Sequence, residues 1–429
     1  MKTLLFLLLV GCTTSVVGQE LYFPPNTGTA WETTPPSTLG YCPEKIAELY
    51  TLLEENQSKA FLLLKDGKIV LEQYFDGFQP TDNWYWASAG KTITAFTVGI
   101  AQQEGFLSIE DTSADYLGEG WTTAPAEKEQ QITIKNQLNM TSGLDYTVPN
   151  LGCTDPECLE YLSDAGSQWY YHNAPYTLLD QVIETATSST LNQYFSQKVR
   201  NPIGMNGAFI QVEENNVYFS TPRSMARFGL LMLNGGSWGT TPIMTDTNYF
   251  NEMINTSQSL NLSYGYLWWL NGKSSYMLPG STLVFPGFLI PDAPADTYVA
   301  AGKNGQFLNI TPSEGLVWVR MGDTPDDLLV PFFLNNQIWE KINELVCPLS
   351  TTDSAFKKWQ IAPNPVKDQL LIQNPTAESY NWELYDSSSQ ILEKGNQQSS
   401  PTLTGYANGF YWLKIQSGND VQWEKVIKK

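Results

Sequence analysis

Ser88 and Lys91, three residues apart, stand directly before an apolar run from Ile93 to Ile100. Placed at the start of a helix, residues at this spacing share one face. The serine hydroxyl can then pass its proton to an amine instead of an imidazole. The alternative is hard to build, because His172 is the single histidine of the 429 residues. A serine–histidine–aspartate triad or a multi-histidine metal site is therefore nearly excluded. If the chain hydrolyses anything through a serine, lysine and tyrosine are the expected proton carriers.

The N-terminus predicts export. Lys2 precedes an apolar core from Leu4 to Val10 and small residues ending at Val16-Val17-Gly18, so residues 1–18 read as a cleaved signal peptide. Leu9-Val10-Gly11-Cys12 offers a rival reading, a lipoprotein box with Cys12 lipidated. No later segment is apolar enough to span a membrane. A net charge of −20 disfavours nucleic acid and anionic membranes as partners. Cys42, Cys153, Cys158 and Cys347 remain after the signal, an even number that suits disulfides in an exported chain. Cys153 and Cys158 bracket a short loop and are expected to pair, leaving Cys42 and Cys347 to join the ends of the larger domain. These spacings suit no ordinary zinc site, and no metal or other cofactor is expected.

Residues 19–348 mix helical and strand patterns, an α+β arrangement of sheet, flanking helices and a helical insert. Helices are expected over Pro43–Leu53, from Ser88 toward Glu104, over Tyr176–Thr187, Thr221–Leu233 and Ile338–Val346. Ala60–Leu64 and Lys68–Phe75 straddle the hairpin signal Asp66-Gly67. Phe307–Ile310 and Gly315–Met321 read as paired strands around Pro312. Residues 349–360 form a Ser/Thr-rich linker, and residues 361–429 read as a small β-sandwich of short strands.

Serine–lysine spacing alone is weak evidence, since Ser354-Ala355-Phe356-Lys357 repeats it inside the linker. Context favours Ser88: at a helix N-terminus, free backbone N–H groups and the helix dipole favour developing negative charge. A second element is Tyr171-His172-Asn173. A tyrosine near a lysine ammonium is expected to have a depressed pKa, so Tyr171 could take the serine proton and return it to the leaving group. Asn173 could hydrogen-bond Lys91 and an acyl substituent. Tyr249-Phe250-Asn251 repeats the tripeptide, and His172 reads as a surface or packing residue. A third element runs from Tyr298 to Phe307, where a strand edge could supply a backbone N–H to an oxyanion alongside that of Ser88. The competing reading of Asn304-Gly305 is a plain hairpin turn.

In this order the three elements resemble the serine β-lactamase and penicillin-binding superfamily, with class C β-lactamases, family VIII carboxylesterases and nylon-oligomer (6-aminohexanoate-dimer) hydrolases as the nearer types. Ile132-Thr133-Ile134-Lys135, Met140-Thr141-Ser142-Gly143, Ser224-Met225-Ala226-Arg227 and Tyr264-Gly265-Tyr266-Leu267-Trp268-Trp269 support the likeness, which runs from about Leu39 to Val346. It implies a β-lactamase-like antiparallel sheet with flanking helices and a helical subdomain. It also implies Ser88 as nucleophile, Lys91 as its activator and Tyr171 as general acid/base. Class C enzymes carry Lys-Thr-Gly on the edge strand. Here either Lys303-Asn304-Gly305 stands in that place, with the oxyanion N–H on Gln306, or Ala300-Ala301-Gly302 does, with the N–H on Lys303. The second register is preferred and lacks the carboxylate-binding lysine. Among the flanking aromatic residues, Tyr146 is a candidate lid residue.

The tail resembles the C-terminal sorting domain of the type IX secretion system, through Ala362-Pro363-Asn364-Pro365-Val366, Leu384-Tyr385-Asp386, Asn408-Gly409-Phe410-Tyr411 and Lys428-Lys429. It implies that machinery as a partner and a secreted or outer-surface location. The expected function is a secreted serine hydrolase of carboxylic esters or small amides. A β-lactamase or D-amino-acid peptidase, and a catalytically inactive binding protein on the same scaffold, are the alternatives.

Overall fold

The computed structural model describes residues 21–325, 329–347, 359–373, 379–386, 390–418 and 420–429. The signal segment with Cys12, linker residues 349–358 and the Ser354–Lys357 repeat lie outside the described residues. The chain divides into two compact units, one ending at Cys347 and one running from Pro348 to Lys429.

The first unit is built on a six-stranded antiparallel sheet. Its strands are β1 (Ser58–Lys65), β2 (Lys68–Tyr74), β3 (Trp269–Leu270), β4 (Tyr298–Gly302), β5 (Gln306–Thr311) and β6 (Leu316–Gly322), in the spatial order β2-β1-β6-β5-β4-β3. Asp66 and Gly67 join β1 to β2 with φ of +49° and +84°, the left-handed pair that a two-residue hairpin needs. Runs such as Phe61-Leu62-Leu63-Leu64 are wholly buried because both faces of the sheet are covered. The unit has five longer helices, α1 (Pro43–Glu55), α2 (Lys91–Gln103), α3 (Leu179–Thr187), α4 (Pro222–Leu233) and α5 (Phe332–Asn343), of which α1 and α4 pack on the sheet and α2 packs against α3. Gly229 of α4 packs against Leu308 and Val317. On the alternate residues, and so on the other face, Trp339 of α5 donates to Asn309 Oδ1 at 3.0 Å and meets the Trp318 ring edge-on.

Helix α2 is buried on every side from Lys91 to Ala101, the state expected of a helix that is apolar all round. Two of its buried threonines answer to the helix itself: Thr92 donates to the Ala89 carbonyl and Thr97 to that of Ile93, both at 2.8 Å. Three expectations shift. The helix foreseen at Ser88 begins as a 3₁₀ turn over Ala87–Gly90 before α2 takes over. The segment foreseen as one helix over Tyr176–Thr187 is two, Asn173–Thr177 and α3. The last helix starts six residues early, after Pro331, because Phe332 and Leu334 join Ile338, Trp339 and Ile342 in its buried face.

Both expected disulfides are formed, Cys42–Cys347 and Cys153–Cys158. Backbone hydrogen bonds flank the first, from Cys42 N–H to the Leu345 carbonyl (2.8 Å) and from Cys347 N–H to that of Gly40 (2.7 Å). Among the described residues, no helix is long and apolar enough to cross a membrane.

The second unit is strand-rich. Gln360–Ala362 pairs with Leu371–Gln373, and a four-stranded antiparallel sheet runs in the order Ile391–Asn396, Asn381–Tyr385, Gly409–Ser417, Asp420–Lys428. Trp359, Leu370, Trp382, Leu384, Leu413 and Ile415 anchor its own core.

Candidate active site

Trp84–Tyr85 forms a two-residue strand that feeds the Ser88 turn. Trp86 fixes this entry, its backbone N–H bonding the Tyr218 carbonyl and its indole N–H the Ser220 hydroxyl, each at 2.8 Å. Ala87 then adopts φ +46°, a left-handed conformation costing on the order of 1–3 kcal/mol for a residue with a side chain. That kink starts the 3₁₀ turn and sets half-buried Ser88 one turn from the buried Lys91.

Lys91 Nζ lies 2.9 Å from Ser88 Oγ. Burial lowers the lysine pKa to about 7, against a smaller upward pull from Asp180. The faces of Tyr176 (4.3 Å) and Tyr171 (5.2 Å) flank the amine. A large share of Lys91 is therefore neutral at neutral pH and able to accept a proton. Asp180 on α3 is pushed up to about 7, chiefly by burial; Asn216, whose amide donates to Oδ2 at 2.9 Å, pulls it down, as do Lys91 and Thr94.

Tyr171 behaves differently from expectation. Its ring stacks on Trp269 at 5.6 Å and meets Tyr264 edge-on, and its buried hydroxyl has no hydrogen-bond partner among the described residues. Burial raises its pKa well above the ordinary value, and the interaction with Ser88 only partly offsets this. The expected depression is absent because desolvation of a phenolate outweighs the stabilising interaction with Ser88. Tyr171 is thus a proton donor at neutral pH. His172 is a packing residue, not a surface one: it is 3% exposed, and burial lowers its pKa to about 4. Asn173 opens the short helix, and its buried Oδ1 is unpaired among the described residues. It makes no hydrogen bond to Lys91 there, so that expectation is corrected: Lys91 bonds Ser88 instead. Tyr146 stacks on Tyr170 at 4.0 Å, beside Tyr171 in sequence.

The strand edge arrives from β4. Of β4, only Tyr298 and Val299 pair with β3, and Gly302 at the far end of β4 abuts the serine turn. A Cβ built there would sit 2.5 Å from the Trp86 oxygen and 3.0 Å from the Ser88 nitrogen, so only glycine permits this approach. Lys303 follows with an exposed side chain. Gln306 turns the other way. Its fully buried amide donates to the carbonyls of Lys303 (3.1 Å) and Gly322 (2.6 Å) and accepts from Gly322 N–H (3.0 Å), and its backbone pairs with Gly302. Gln306 therefore ties strands together and does not face a substrate. Asp180 and Tyr264 complete the surroundings. Asp180 had a legible signal, a lone carboxylate in the stretch Leu178–Ile183; Tyr264 stood in a stretch that supports the family likeness, but its place beside Tyr171 is set by the tertiary fold.

Residues 53–328 match the Beta-lactamase family and residues 360–429 the Secretion system C-terminal sorting domain. The 6-aminohexanoate-dimer hydrolase of Paenarthrobacter ureafaciens is 23% identical over 66% of this chain and 76% of its own length. Penicillin-binding protein 4* of Bacillus subtilis (strain 168) is 26% identical over 36% of this chain, and the match spans 39% of that protein; the match to another Bacillus subtilis relative spans 45% of its length. A family VIII carboxylesterase of known structure shares the fold with TM-score 0.55 at 15% identity, over 74% of this chain and 99% of that one.

Proposed function

The chain belongs to the beta-lactamase family, and on that premise we propose that it is an exported serine hydrolase acting on carboxylic esters or small amides through an acyl-enzyme on Ser88. One observation carries the reading: a buried lysine with its pKa lowered to about 7 sits 2.9 Å from a serine hydroxyl. Neutral Lys91 takes the Ser88 proton as Oγ attacks the carbonyl carbon. Negative charge then develops on the carbonyl oxygen, where the N–H groups of Ser88 and Lys303 receive it. The new ammonium is met by the Asp180 carboxylate and two tyrosine faces. Tyr171, a phenol at this pH, donates to the departing alkoxide or amine and recovers a proton from the deacylating water, while Lys91 returns its proton to Ser88 Oγ as the acyl group leaves. Tyr146 and Tyr170 supply an aromatic wall for the acyl group. The position of Gly302 supports the Ala300-Ala301-Gly302 register, which leaves no lysine for a substrate carboxylate and favours esters and simple amides over β-lactams. The sorting domain sends the chain through the type IX secretion system to the cell surface or beyond.

The test is hydrolysis of a short-chain p-nitrophenyl ester beside a chromogenic cephalosporin, with Ser88→Ala as control. Ester turnover that vanishes in the variant, with little cephalosporin cleavage, is expected. Rapid cephalosporin cleavage would instead favour a β-lactamase, and no turnover with retained ligand binding an inactive scaffold.

A further inference from the structure

The turn that follows Gly302 is fastened far more heavily than a hairpin requires. Asn304 holds φ +61°, and its side-chain amide reaches across to donate to the Tyr85 hydroxyl (2.8 Å) and to Asp323 Oδ1 (3.3 Å). Tyr85 itself donates to the same Oδ1 at 3.1 Å. Arg320 of β6, fully buried, lies beneath: Nη1 bonds the carbonyls of Asn304 and Gly305, Nη2 those of Asn56 and Asp323, and Nε the Ser58 hydroxyl. Arg320 secures the carbonyls of Asn304 and Gly305, and Gln306 that of Lys303. The Asn304 side chain therefore has another office: it links the turn to Tyr85, three residues ahead of Ser88.

These ties join the two backbone segments that meet across Gly302. At Gly302 itself the segments meet by close packing of backbone on backbone. We infer that Tyr85, Asn304 and Asp323, backed by Arg320, are positioning residues that fix the spacing between the Ser88 and Lys303 N–H groups, so that both converge on one oxyanion. The inference rests on the hydrolase reading above. Backbone donors gain their catalytic effect from preorganisation, and a displacement of about 1 Å can cost about 100-fold in rate.

Tyr85→Phe, Asn304→Gly and the double variant test this in the full chain; glycine keeps the left-handed backbone while deleting the amide. The expected result is kcat lower by about 10- to 100-fold for a p-nitrophenyl ester with KM nearly unchanged. The double variant should lose less than the product of the two single losses, because Tyr85 and Asn304 share one hydrogen bond and one partner, Asp323. Affinity for a boronic acid, which forms a tetrahedral adduct, should fall in step with kcat, while affinity for the carboxylate product holds. Unchanged kcat in variants whose wild-type parent is active and labelled at Ser88 by a fluorophosphonate overturns the inference and leaves the hydrolase reading standing. Parallel losses of kcat, product affinity and melting temperature overturn it as well, reducing the cluster to a structural role. A wild-type protein neither active nor labelled sinks both readings.

Discussion

The α-carbon of Gly302 faces the backbone nitrogen of Ser88, with room for a hydrogen and none for a methyl group: an added Cβ would stand 3.0 Å from that nitrogen and 2.5 Å from the Trp86 oxygen. The obstructing atoms are backbone, so they cannot swing aside as a flexible side chain would. Gly302→Ala is therefore expected to separate β4 from the serine turn. We expect kcat/KM to fall by about 100-fold or more, as for removal of one oxyanion donor, with a lowered melting temperature. An alanine variant with wild-type kinetics would remove β4 from the site.

On the proposed mechanism, Lys91 sets the pH dependence. With a pKa of about 7, its neutral, proton-accepting form grows as pH rises through that value. The kcat/KM profile should rise with pH and level off above about 7, and Lys91→Met should abolish turnover. A profile flat from pH 5 to 9 would exclude the lysine as base.

Asp180 raises the Lys91 pKa by its charge. The substitution Asp180→Asn would remove a negative neighbour, favour the neutral amine and lower that pKa. The rising limb of this variant should move to lower pH, while kcat falls because the ammonium formed during acylation loses a counter-charge. A limb that stays in place would separate the two residues electrostatically.

Tyr171 carries a buried hydroxyl that interacts with Ser88 and, among the described residues, makes no hydrogen bond that holds another element of the fold in place. Tyr171→Phe should stay within about 1 kcal/mol of the parent in denaturant unfolding, while kcat drops by about 100-fold or more. Loss of stability together with loss of activity would make the hydroxyl a structural group.

The Cys42–Cys347 bridge closes a loop of 305 residues, whereas Cys153–Cys158 spans 5. Restriction of the unfolded chain grows with loop length, so Cys42→Ser/Cys347→Ser should cost about 2–4 kcal/mol and the shorter bridge less. Equal losses measured by chemical denaturation would point to native-state contacts instead.

Much of the fold was legible where one physical demand dominates. Asp66-Gly67 marks a turn because few residues adopt left-handed φ. Ile93 to Ile100 marks a buried helix because nothing charged interrupts it. The 332–343 helix was placed late because Asn335 and Asn336 interrupt its apolar pattern, and burial of Phe332 and Leu334 outweighs them. At the site, Ser88, Lys91 and Tyr171 could be found by type and spacing. Their protonation could not, because it depends on desolvation by residues far away in the chain.

Local order in the sequence thus determined the serine–lysine pair, the all-buried helix behind it, the hairpins and the sorting tail, since these rest on short-range geometry and hydrophobic pattern. Only the tertiary structure decided which strand residue meets Ser88, that Gln306 faces inward, and that Tyr171 keeps its proton. Each of those follows from close packing between segments distant in sequence, where the absence of one methyl group or the exclusion of water outweighs any local preference.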